Sequence, residues 1–258
     1  MPADFRSAIG KLQRGDQHAM ALKREFAKWE ASDPYDIALE HDLYFQRWTI
    51  RLLIRERPPL ERWGLMVGDV VACYRSALDH ALYALAAHET GEDPPPGERV
   101  LQFPICDSFK WYAAHKNRRL SDLSPRVCAV LQTFQPYLRR KDQPFKELSV
   151  LRELNDRDKH RAVHLAVHVL EGIHVKLDPP GHGALWGITS LGALEHEAVV
   201  ARLYFSVPQD PEMTVNPEAT FLISLELPNG EHRNVGSTFD EVRGAVRQIV
   251  GTLQRFGY

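Results

Sequence analysis

The sequence predicts a single-domain α+β protein, with a long buried central helix and further helices packed on one face of an antiparallel sheet. Three observations carry this prediction. The run from Leu60 to His88 is almost wholly apolar and far too long for a strand. From Val163 to Val169 apolar residues recur at every second position, and strand-like runs follow at Ile173 to Leu177, Val199 to Val207 and Thr220 to Leu227. From Thr238 to about Phe256 the spacing returns to that of an amphipathic helix. The chain therefore divides into a helix-rich part (1–161), a β-rich part (162–235) and a closing helix (238–256), all sharing one core.

The elements follow in order. Phe5, Ile9, Leu12, Leu22, Phe26 and Trp29 recur at helical spacing, and Ser-Asp-Pro at Ser32 to Pro34 ends that helix. From Tyr44 to Ile54 the period changes to two: Trp48, Ile50, Leu52 and Ile54 alternate with Arg47, Thr49, Arg51 and Arg55, which predicts a strand. Pro58-Pro59 closes it and the long helix begins at Leu60. Gly91 to Glu98 (GEDPPPGE) is a loop. Helices are expected over Ser124 to Gln132 and Phe145 to about His160. In the β-rich part Glu171-Gly172 marks a turn and Asn229-Gly230 a hairpin, because both residues of the latter tolerate positive φ. The residues from Ala162 to Leu177 fit either a hairpin or a continued helix. Strands are expected over Val199 to Val207 and Thr220 to Leu227. Thr238 with Glu241 has the form of a capping box ahead of Phe239, Val242, Val246, Ile249, Leu253 and Phe256.

Composition narrows the function classes. A net charge of −2 gives no global attraction to nucleic acid or to an anionic membrane, so any such partner must use a local patch. Cys73, Cys106 and Cys128 are far apart and unpaired, which fits a reducing compartment and neither a disulfide framework nor a cysteine-rich zinc site. No apolar stretch spans a membrane and the opening residues lack a secretory core, so a soluble, cytoplasmic protein without a membrane partner is expected. There is no Walker A loop, GxGxxG or GxSxG, and no cofactor is expected.

Two polar clusters interrupt the apolar pattern. Between Trp63 and Ala87 the strongly polar residues are Asp69, Arg75, Ser76, Asp79 and His80. At about 100° per residue, Asp69, Ser76 and His80 fall on one thin stripe with Cys73 beside it, while Arg75 and Asp79 form a second stripe and are spaced to pair. Polar groups on a buried helix need compensation. A structural network supplies it, and so does a lined cleft or a polar dimer seam. The second cluster is Asn155 to Arg161, NDRDKHR. Helical projection puts Asn155 and Asp158 on the face of Leu148, Leu151 and Leu154, pointing toward the first cluster, with Asp156 and His160 on the flank. Lys159, His160 and Arg161 also suit a helix C-terminus, where cations meet the negative end of the dipole. Asp156 and His160 are spaced to share a metal, which with His80 would make a metal-dependent small-molecule hydrolase, although no HExxH is present.

The string Arg-Ser-Ala-Leu-Asp-His, Arg75 to His80, resembles the R-x4–6-H motif of the HEPN ribonucleases. The resemblance implies a dimer that cuts RNA without metal, with Arg75 stabilising phosphate charge, His80 in acid–base or positioning work, and Asp79 beside them. In that motif the polar residue after the arginine is Ser76, and from the two clusters the residues expected around it for binding are Asp69, Asn155, Asp158, Lys159 and His160. More broadly, RSALDH, then Leu101 to Ile105 (LQFPI), then Gln135-Pro136-Tyr137, then Asn155 with DKHR resembles a family of uncharacterised actinobacterial proteins. That resemblance implies no activity, but it groups the two clusters into one design. The alternative is a non-catalytic ligand-binding or interaction protein in which the same clusters are a structural network.

Overall fold

The computed structural model describes residues 3–45, 47–138, 144–159, 163, 165–178, 184–188, 195–205, 214–227 and 230–257. It is an α+β fold. Helix α1 (Arg6–Glu30) leads to a hairpin of β1 (Tyr35–Asp42) and β2 (Arg47–Ile54), and then to the long α2 (Leu60–Thr90). Shorter helices α3 (Phe109–Arg119), α4 (Pro125–Thr133) and α5 (Glu147–Asp158) follow. Strands β3 (Leu165–Asp178), β4 (Ala184–Ile188), β5 (Val199–Phe205), β6 (Thr214–Glu226) and β7 (His232–Asn234) precede the C-terminal α6 (Val235–Phe256).

Helix α2 is the axis of the molecule. Trp63, Val67, Tyr74, Leu78 and Leu82 are fully buried, and α1, α5 and α6 pack around them. The Trp63 indole stands edge-on to Phe26 and Trp29 of α1, with ring centroids 4.7 and 5.5 Å away. Glycine lets the chain pass close to α2 at one point: a Cβ on Gly64 would sit 2.5 Å from the Val163 carbonyl oxygen. A larger residue there would push away the strand that enters the sheet.

All strand pairs are antiparallel and they divide between two sheets, β1-β2-β5-β4 and β3-β6-β7. Leu165, Ile223 and Leu225 of the second sheet join the helical core, while Val215 joins a smaller core with Ile50, Leu52, Val200 and Leu203 of the first. The predicted turn at Glu171-Gly172 is instead an interruption within one continuous strand, so the segment up to Leu177 is neither hairpin nor helix. Leu170 pairs with Thr220 and Ile173 with Ala219, leaving two residues of β3 unmatched. An insertion of two keeps the in–out alternation in phase, so one face of the sheet serves both cores.

Other expectations also change. The predicted strand start at Tyr44 is a turn: Leu43, Tyr44 and Phe45 are exposed between β1 and β2, and β1 itself was not anticipated. Helix α6 is capped by Asn234, whose side chain accepts from Ser237 N at 2.9 Å, and not by Thr238, which is buried inside the helix. Glu241 reaches back to Arg233, at 3.1 Å, instead of completing a capping box. Gly230 has φ of +78° at the β6–β7 connection, as the hairpin prediction requires, while Asn229 lies outside the described residues. The row Arg47, Arg51 and Arg55 is neutralised across the hairpin by Asp42, Glu40 and Asp36, at 3.2, 2.8 and 2.5 Å. Among the described residues no helix is long and apolar enough to cross a membrane.

Candidate functional site

Arg75 and Asp79 do pair. Arg75 Nη2 lies 2.8 Å from Asp79 Oδ1 and Nε lies 3.2 Å from Oδ2, with Arg75 only 6% exposed. Both residues then clamp a single residue of the extended segment 101–107. Arg75 Nη2 donates to the Phe103 carbonyl at 2.7 Å, and Phe103 N donates to the Asp79 carboxylate at 2.8 Å.

The clamp is part of a larger pattern. Four consecutive carbonyls of the segment each accept from a side chain of a different part of the fold. His115 Nε2 of α3 bonds Gln102 O at 3.0 Å, and Arg75 of α2 bonds Phe103 O. Gln135 Nε2, just after α4, bonds Pro104 O at 3.0 Å, and Arg152 Nη1 of α5 bonds Ile105 O at 3.2 Å. Gln135 also accepts from Cys106 N at 3.0 Å, while Asp107 takes Arg152 and Ser149 at 2.5 and 2.6 Å. Backbone groups that reach no ladder must find partners elsewhere, and here side chains supply them. The RSALDH, LQFPI and QPY strings thus belong to one internal scaffold.

The scaffold forms the floor of a cavity of 300 Å³ between α3, α5 and α2. Arg75, His115, Arg118, Arg119 and Arg152 line it, with Asp156 as its one acidic residue. Arg75 and Arg152 are neutralised by Asp79 and Asp107. Arg119 Nη1 meets neutral oxygens, Gln102 Oε1 at 2.7 Å and the Val100 carbonyl at 3.5 Å, and among the described residues neither Arg118 nor Arg119 has an acidic partner. Trp111 forms the aromatic side of the cavity, 52% exposed, with the Arg152 guanidinium 4.8 Å from its ring centroid. The bond from His115 Nε2 to a carbonyl, which only accepts, identifies Nε2 as the protonated nitrogen. Burial lowers the His115 pKa, opposed by that hydrogen bond and reinforced by the charges of Arg119 and Arg75.

The remaining candidates lie elsewhere. His80 turns toward α1, where its Nδ1 is 2.7 Å from Ser7 Oγ, and its pKa is lowered by burial and by Lys11. Arg75 and His80 therefore address different neighbours. The Asp69–Ser76–His80 stripe is the open edge of α2 beside α1, not a buried line: Asp69 is exposed and 4.0 Å from His18, and Ser76 is half-buried. Asn155 is buried, as the helical projection anticipates. Asp158 abuts α2 at Gly68, and its carboxyl pKa is raised by burial and then by Asp69. Lys159 is exposed and 3.7 Å from Asp156. His160 lies outside the described residues. His80 lines a separate 710 Å³ groove with Ser7 and Tyr83, so His80 and Asp156 do not share a cavity, and no three-ligand metal cluster occurs among the described residues.

Sequence reasoning missed Trp111, His115, Arg118, Arg119 and Arg152. Ser108 as N-cap and the basic last turn of α3 were the available signals. Comparison with known proteins adds no relative: no family model matches the chain, and no curated protein or solved structure is significantly similar to it.

Proposed function

We propose that this chain is a non-catalytic binding protein for an anionic ligand, with RNA among the ligands that carry the right charge. The observation that carries this reading is the lining of the 300 Å³ cavity, where Arg118 and Arg119 have no acidic partner among the described residues. Guanidinium groups are suited to phosphate and carboxylate because their N–H groups form a fixed fork. The Arg75–Asp79 pair acts here as the cavity's scaffold. Cleavage of RNA by Arg75 and His80 needs both at one phosphate, whereas Arg75 holds Asp79 and Phe103, and His80 faces Ser7. Those placements favour binding over cutting.

Sulfate and pyrophosphate serve as simple probes. Each is expected to raise the melting temperature in a saturable way, since a ligand that binds only the folded state stabilises it. Arg118→Ala with Arg119→Ala is expected to weaken binding by at least about tenfold, with an unliganded stability loss of about 1–2 kcal/mol from the Arg119 bonds to Gln102 and Val100. Unchanged affinity in the double variant would sink the assignment. Labelled RNA in excess chelator should stay intact. Cutting by the wild type that vanishes in a folded His80→Ala variant would replace this reading with a ribonuclease.

His115 gives the binding a pH signature. Its pKa is already lowered by burial and by neighbouring arginines, so an arriving anion raises it and a proton is taken up on Nδ1. Sulfate has a fixed charge over the relevant range. Its affinity is therefore expected to rise as pH falls through the range in which the liganded His115 takes up its proton, and to level off below the lowered pKa of the free protein. His115→Asn should flatten that slope. Titration calorimetry in buffers of different ionisation enthalpy measures the proton directly, and zero uptake refutes the role given to His115.

A further inference from the structure

The cavity has two chemically distinct sides, and an anion alone uses only one. Arg118, Arg119 and His115 come from the last two turns of α3, whereas Trp111, Ala114 and Ile105 make an aromatic and apolar side. A volume of 300 Å³ is the lower end of the range for pockets that hold small organic molecules, well beyond what a lone oxyanion fills. Trp111 is half exposed although a large aromatic side chain gains by burial, and one of its faces already carries Arg152. A flat ring laid on its other face would complete a sandwich of guanidinium, indole and ring.

We propose that the ligand is a nucleoside monophosphate, its base stacked on Trp111 and its phosphate held by Arg118, Arg119 and His115. This rests on the anion-binding reading above and adds the class of molecule that bears the anion. Two features favour one nucleotide over a track for a strand. The cavity has room for a single unit. Among the described residues the arginine row Arg47, Arg51 and Arg55 is matched by acids and offers no continuation. The nucleotide is then either free or the terminal residue of an RNA strand, and the two share their chemistry.

Titration calorimetry with AMP, UMP, ribose 5-phosphate and sulfate tests the base contribution. AMP is expected to bind at least about tenfold more tightly than ribose 5-phosphate, since stacking of one base on an aromatic side chain is worth about that factor. Trp111→Ala should bring AMP down to the ribose 5-phosphate level with the melting temperature unchanged, and Trp111→Phe should keep most of the difference. A short oligoribonucleotide with a 5′-phosphate that binds as AMP does identifies a strand end as the source. Binding of AMP without it identifies the free nucleotide, and either result supports the proposal. Equal affinity for AMP and ribose 5-phosphate overturns it while leaving the anion site standing. Equal affinity for oligonucleotides with and without the 5′-phosphate overturns it in favour of a strand. Failure of sulfate and every nucleotide to bind removes the anion-binding reading as well.

Discussion

Asp79→Ala is expected to destabilise the protein by about 3–5 kcal/mol, the usual cost of removing one member of a buried ion pair. Two losses coincide. The Arg75 guanidinium, with Arg75 6% exposed, keeps its charge but loses its counter-ion, and the Phe103 N–H loses its acceptor. Arg75→Met leaves a half-buried carboxylate with access to water and should cost less. The double variant Arg75→Met with Asp79→Leu should recover part of the loss, because no unpaired charge is left, while the Phe103 N–H and carbonyl still lack their partners. Urea unfolding of these variants and of the single variant Asp79→Leu gives the coupling. A change within 0.5 kcal/mol for Asp79→Ala, the range of an ordinary surface substitution, would falsify the scaffold role.

The second large effect is a single methyl group whose sign depends on where it is added. Gly64→Ala is expected to cost about 1–3 kcal/mol, because the new Cβ lies 2.5 Å from the Val163 carbonyl oxygen and the backbone must shift. Gly10→Ala is the same substitution in exposed helix α1, with nothing within 4 Å of the added carbon. It is expected to stabilise by about 0.5–1 kcal/mol through helix propensity alone. Thermal unfolding should move in opposite directions for the two variants. Stabilisation by both would mean that α2 and the start of the sheet separate at little cost.

Much of the architecture was legible because it rests on periodicity. Helix α2, helix α6 and the β-rich stretch each bury apolar residues at fixed intervals over many turns or pleats, and that is what a linear reading detects. Helix α3 buries only Tyr112, so it leaves almost no apolar rhythm. Strand β1 escaped for a related reason. Its acidic residues read as a loop until their arginine partners on β2 are known.

The site divides in the same way. Arg75 and Asp79 were found because charges four apart within an apolar run can pair, and they do. The angular projection of Asp69, Ser76 and His80 was sound but ambiguous. A polar stripe looks the same whether it lines a buried cleft or the open edge of a helix, and here α1 leaves that edge uncovered. Arg118, Arg119, Arg152 and Trp111 became a set only when α3 and α5 met across the 101–107 segment, a juxtaposition with no counterpart along the chain.

That segment is in effect a strand whose neighbouring strand has been replaced by scattered side chains. Its partners lie 13 to 47 residues away, on both sides in sequence. Leu101 N bonds the Gly97 and Glu98 carbonyls locally, but the side-chain bonds from Gln102 onward need the helices in place. This stretch is therefore expected to gain its shape only when the helical assembly is nearly complete. The order of events follows. The cavity floor is among the last parts of the molecule to be built, and the amides of Phe103 and Cys106 should open to solvent when the helices part. The cavity's lining is therefore drawn from the late-forming part of the molecule, where local opening can begin.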